Sequence, residues 1–131
     1  MRRLHLIFGI LLFVAFLVTG QFMRADFPDK EIISQELRLL MRSRHIYILF
    51  SSLIHLALGS YLSIQAANAF RVVQYLGSSL LFVSSGLLVW AFVSETYALQ
   101  HYSDLSRYGI YTSLGGVLLH LVGGIGQKHD H

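Results

Sequence analysis

Residues 45–62 read HIYILFSSLIHLALGSYL, an apolar run that no Asp, Glu, Lys or Arg interrupts. A bilayer's hydrocarbon core takes about 20 such residues in a helix, so the stretch predicts a transmembrane helix. His55 lies near its middle. An ionisable side chain at that depth needs a partner, a cavity or a ligand, because hydrocarbon offers it no water. At about 100° per residue, His45, Ser51, Ser52, His55 and Gly59 share one arc with Ile48 and Leu62, while Leu49, Leu53, Ile54 and Leu56 fall outside it. One face is smaller and more polar, and the remainder suits lipid.

The whole chain follows the same pattern. Its 131 residues are 54% hydrophobic and 13% charged, too apolar for an ordinary soluble domain. Apolar runs at about 4–23, 45–64, 72–93 and 108–126 predict four spans in a single transmembrane domain covering residues 1–131. The basic start MRR and apolar core of residues 1–20 also fit a signal peptide, but the first run is read as a membrane helix. Between spans one and two, Pro28 opens a stretch with Asp26, Asp29 and Glu31 at its start and Ile33, Leu37, Leu40 and Met41 at helical spacing. That predicts an amphipathic helix on the membrane surface, leading into the second span. The expected fold is therefore all-α: an integral membrane four-helix bundle with an interfacial helix between spans one and two.

Charge and composition exclude several functions. The pI is about 9.5, yet the basic residues flank apolar spans rather than interleaving with aromatics, so lipid headgroups are the expected anionic neighbours and nucleic acid is not. Arg38, Arg42 and Arg44 are read as headgroup contacts. The chain has no cysteine, which removes disulfides, thiolate metal sites and thiol catalysis. No phosphate loop or nucleophile with a placed base occurs, and the chain is not expected to be an enzyme on its own. The expected location is the plasma (inner) membrane of a bacterium. Loop charges favour external termini and the basic start favours the reverse, so orientation stays open.

Small residues indicate where helices meet. Gly77, Ser84 and Ala91 recur every seven residues with Ser78 and Ser85 beside them, and Gly109, Thr112, Ser113, Gly116, Gly123 and Gly124 surround His120 on one face of the last span. Such stripes let backbones approach or make room for a flat ligand. Spans two, three and four are expected to form the tight core, with the first span more exposed to lipid.

Spans two and four run the same way. His55 comes ten residues after His45 and His120 twelve after Tyr108, which places the two imidazoles within about one helical turn in depth. Each lies on a small-residue face. Two imidazoles across a bundle, with Ser52, Gly59, Ser113 and Gly116 making room for a porphyrin, are what a bis-histidine haem b needs. His45 and His101 are weaker candidate iron ligands near one surface. In architecture the chain resembles four-helix membrane b-type cytochromes. The implied function is electron transfer, with a membrane quinone as partner.

Other readings compete with this one. His55 and His120 could instead hydrogen-bond to serine, threonine or backbone inside a tight bundle. In that case the protein would be a non-catalytic small accessory or scaffold subunit of a larger membrane complex, or a homo-oligomer. Copper held by Met23, Met41 and His45 is a third reading. His5 is read as an interfacial residue. Glu95, His101 and Asp104 are read as solvated loop residues rather than a metal site, and His129 and His131 as part of a disordered tail.

Overall fold

A computed structural model describes residues 1–25, 33–64, 68–97 and 104–124. They form four helices, α1 (Arg2–Ala25), α2 (Gln35–Tyr61), α3 (Asn68–Tyr97) and α4 (Asp104–Gly124), with no strand among the described residues. The all-α four-helix bundle expected from the sequence is present.

Among the described residues the expected interfacial segment is not a helix of its own but the first part of α2. Ser34 caps the N-terminus of α2 by accepting from Leu37 N, and from there one helix runs unbroken through the charged segment into the apolar one. Leu37, Met41, Arg44, Ile48, Ser51, Ser52, His55 and Gly59 are buried along it, a continuous stripe at three- and four-residue spacing that crosses the change in polarity. Nothing in residues 35–61 breaks a helix, since proline is absent and the only glycine, Gly59, lies near the end. The expected start at Pro28 lies outside the described residues.

Two helices are long and apolar enough to cross a membrane, α1 and the Ala69–Thr96 part of α3. In α2 the charges at Glu36, Arg38, Arg42 and Arg44 leave residues 45–61 as the apolar part, and in α4 the charge at Arg107 leaves residues 108–124. Each is about 17 residues, at the lower end of what spanning requires.

α1 packs closely on α2 and α4 on α3, and the two hairpins meet through a narrower α2–α3 interface. Both hairpins use the same device. Ser52 Oγ donates to the Gly9 carbonyl at 2.8 Å, and Ser84 Oγ to the Gly109 carbonyl at 2.7 Å. One turn further along, Leu56 and Leu88 lie against those same glycines, where an added Cβ would come within 2.9 Å and 2.8 Å of the respective Cγ atoms. Only glycine permits that approach.

α3 is the central helix. Of its most apolar window 44% is buried, against 11% for α1. The heptad of small residues read from the sequence is used here, because Gly77, Ser78, Ser84, Ser85 and Ala91 are all buried. The expectation that α2, α3 and α4 form one tight core needs revision. α1 is the most exposed helix, as expected, but Ser52 and Gly59 face α1, and α2 and α4 are held apart. Leu12, Ile48 and Phe92, from α1, α2 and α3, form a core with Phe8, Phe16 and Met23 packed around it.

Candidate functional site

Three histidines converge inside the bundle near the N-terminal end of α1. His5 and His55 are fully buried. His5 Nδ1 lies 2.8 Å from His55 Nδ1, and His5 Nε2 lies 2.9 Å from Ser78 Oγ. Ser78 Oγ in turn lies 3.1 Å from His120 Nε2, so a single hydroxyl joins α1 to α4 through α3. At the other end His55 Nε2 meets Ser85 Oγ at 3.0 Å, and Ser85 also meets Ser51 at 2.9 Å. Side chains from all four helices thus form one connected polar chain.

One assignment of proton positions satisfies every contact in this chain. Ser85 donates its hydroxyl proton to the Leu81 carbonyl at 2.8 Å, so it accepts from His55 Nε2–H. A neutral imidazole carries one N–H, which makes His55 Nδ1 an acceptor for His5 Nδ1–H. His5 Nε2 then accepts from Ser78, and Ser78 accepts from His120 Nε2–H. The remaining lone pair, on His120 Nδ1, is buried and has no hydrogen-bond partner among the described residues.

Aromatic rings enclose the pair. Phe82 stacks on His5 with ring centroids 4.8 Å apart, and Phe8 meets His55 edge-on at 5.0 Å. Arg2 Nε donates to the Gly59 carbonyl at 3.0 Å, which satisfies one of the orphan carbonyls in the last turn of α2 and sets a cation at its negative end.

A second buried polar group lies towards the other end of the bundle. Arg44 Nε and Glu95 Oε2 pair at 3.1 Å, both nearly inaccessible. Glu95 also accepts from Leu105 N at 2.8 Å and Ser106 Oγ at 2.9 Å, so one carboxylate ties α2 and α3 to the first turn of α4. Arg44 is therefore not a headgroup contact, and Glu95 is not a solvated loop residue.

Two grooves lie between α2 and α4. One of about 380 Å³ is bordered by Ile54, Leu58, Val117, His120 and Leu121, with Leu81 of α3 beneath. The other, of about 260 Å³, is bordered by Leu40, Tyr47, Arg107, Ile110 and Tyr111.

The residues singled out for haem fall as follows. His55 and His120 share one level but do not face each other alone, because His5 stands between them, its ring 4.9 Å from that of His55 and 6.1 Å from that of His120. Ser52 bonds to Gly9. Gly59 receives the α1 backbone, with Leu6 N 2.6 Å from where its Cβ would be. Gly116 packs on α3, where a Cβ would meet the Gly77 carbonyl at 2.9 Å and Leu81 Cγ at 2.8 Å. Ser113 is buried on α4. His45 Nδ1 lies 3.0 Å from Thr19 Oγ1, and its ring stacks on Phe16 at 4.2 Å. Met41 is buried and Met23 packs against the apolar core. His101, His129 and His131 lie outside the described residues.

Reading His5 as an interfacial residue missed the centre of the cluster. His5, Gly9 and Leu12, the buried residues of α1, recur at four- and three-residue spacing, a stripe that only the packing of α2 distinguishes from the rest of an apolar helix. Among the described residues no group of three or more His, Cys, Asp or Glu side chains converges as metal ligands. Comparison with known proteins gives no match, whether to a family model, a curated protein or a solved structure.

Proposed function

We propose that the protein is an integral membrane four-helix bundle that serves as a small, non-catalytic accessory or scaffold subunit of a larger membrane complex. The observation that carries this reading is the use made of its interior polar groups. His5, His55, Ser51, Ser52, Ser78, Ser84, Ser85, Arg44 and Glu95 all bond to other helices of the same chain, as polar residues do when they join membrane helices. The glycines beside them are filled by neighbouring helices. What the bundle offers outward is an apolar surface, with Leu4, Ile7, Leu11, Leu53, Leu76, Val83, Leu114 and Leu118 all exposed. In water such a surface would be an aggregation liability; in a bilayer it suits lipid and the helices of partners.

Membrane extraction and native-state sizing test the proposal. The protein should stay with membranes through alkaline carbonate washing and, in mild detergent, migrate with a complex far larger than its own 14.8 kDa. Release by carbonate sinks the membrane reading, and a colourless monodisperse monomer sinks the accessory reading.

Haem ligation by His55 and His120 is the second reading. Its support is the meeting of imidazoles at one level, with one nitrogen of His120 unpartnered. Binding there requires His55 to give up His5 or Ser85. A Soret band in protein made with ample haem, abolished by His55→Ala and by His120→Ala, is its expected signature. A preparation without that band ends it.

A further inference from the structure

His120 stands where the buried polar chain meets the wider groove. Its Nε2 bonds to Ser78. Its Cδ2 edge is turned against Gly77, 3.0 Å from where a Cβ would be. Nδ1 is therefore on the opposite edge of a ring that borders the groove. In the assignment that satisfies the cluster this nitrogen is an acceptor, and it has no partner among the described residues. Donating through Nε2 raises the basicity of the other ring nitrogen, so the chain of bonded imidazoles strengthens the lone pair it leaves unused.

We propose that the groove between α2 and α4 binds a lipophilic aromatic alcohol, a phenol or hydroquinone, whose O–H donates to His120 Nδ1. The walls at Ile54, Leu58, Val117 and Leu121 suit an apolar body. The volume of about 380 Å³ falls within the range of about 300–1,000 Å³ usual for small-molecule sites. A ligand with no donor leaves Nδ1 as it is, buried and unsatisfied. A phenolic O–H removes that penalty and is a good donor on a body that partitions into lipid. Nδ1 is closed to water, so binding includes a turn of the ring about χ2, a broad, soft torsion in histidine, that brings this nitrogen to the hydroxyl. The inference rests on the membrane reading only for the route by which the ligand arrives.

The test uses the full chain in phosphatidylcholine nanodiscs with two probes of matched apolar body, 4-heptylphenol and 4-heptylanisole. The phenol should bind about tenfold more tightly than the ether, the return on satisfying one buried acceptor, and should move the imidazole ¹⁵N resonance of His120 Nδ1. His120→Phe should bring the ratio to about one. Ala57→Phe, which fills the groove from α2 and leaves the hydrogen-bonded chain intact, should abolish the shift and keeps the test decisive if His120→Phe fails to fold. Equal binding of the two probes, or a phenol-induced shift that survives Ala57→Phe, overturns the proposal. A protein that does not enter nanodiscs overturns the membrane reading instead, and the same pair of probes in micelles still decides the groove.

Discussion

His5 and His55 meet Nδ1 to Nδ1 at 2.8 Å, a contact that two imidazoles tolerate only when one donates and the other accepts. This requirement couples the first turns of the chain to the middle of α2, and through Ser78 and Ser85 it makes the tautomers of the whole cluster depend on one another.

Replacing His5 with alanine should therefore be costly. It strips the His55 Nδ1 and Ser78 Oγ bonds and leaves a cavity under Phe82. The expected loss is about 2–4 kcal/mol of stability, measured by reversible unfolding in mixed detergent. His45→Ala, which removes one hydrogen bond to Thr19 and the stack on Phe16 at a half-buried site, should cost less than half as much. Equal costs would deny the cluster its structural weight.

Ser78→Ala tests the link between hairpins. Both His5 Nε2 and His120 Nε2 lose their shared partner, at about 1–3 kcal/mol. The imidazole ¹⁵N resonances of both histidines should move together, although the residues lie on different helices. A shift confined to one of them would refute the bridge.

Glycine substitutions should divide by what lies opposite. Gly59→Ala puts a Cβ 2.6 Å from the Leu6 backbone nitrogen, and backbone cannot swing aside, so α1 must move off α2. A loss of about 1–3 kcal/mol is expected. Gly86→Ala meets nothing within 4 Å and should stabilise its helix by about 0.5–1 kcal/mol. Both variants can be read in the same thermal melt.

Much of this architecture is legible in the sequence where the signal is local. The repeat of Gly77, Ser84 and Ala91 marks the face of α3 that packs, because small residues at heptad spacing bear on one stripe whatever the partner. His55 on a small-residue face is equally readable. His5 is not, since a histidine beside a basic terminus looks interfacial until the opposing helix is known. The pairing of α1 with α2 supplies what was missing. Running antiparallel, it sets Gly20 against His45, 3.2 Å from the added Cβ to Cε1, and His5 near Gly59. Arg44 and Glu95 could not be paired from spacing, because 51 residues and the connection between α2 and α3 separate them.

For that ion pair, removing either partner should be worse than removing both. Glu95→Ala leaves a buried guanidinium and takes the acceptor from Leu105 N and Ser106, at about 3–5 kcal/mol. Arg44→Met should cost less than this, because Glu95 keeps its two donors from α4. The double variant Arg44→Met, Glu95→Leu should recover part of the loss, as dry replacements of buried pairs often do. A double variant no more stable than Glu95→Ala would count against desolvation as the governing cost.

The serine–glycine–leucine device occurs once inside each hairpin, whereas the narrower α2–α3 interface relies on polar pins: His55 and Ser51 to Ser85 at one level, Arg44 to Glu95 at the other. Each half thus carries its own fastening, and the two join through these pins and the apolar core of Leu12, Ile48 and Phe92. A chain cut within residues 65–67 and expressed as two polypeptides should reassemble into the four-helix bundle, and the seam along which the protein comes apart is then the α2–α3 interface rather than any boundary between single helices.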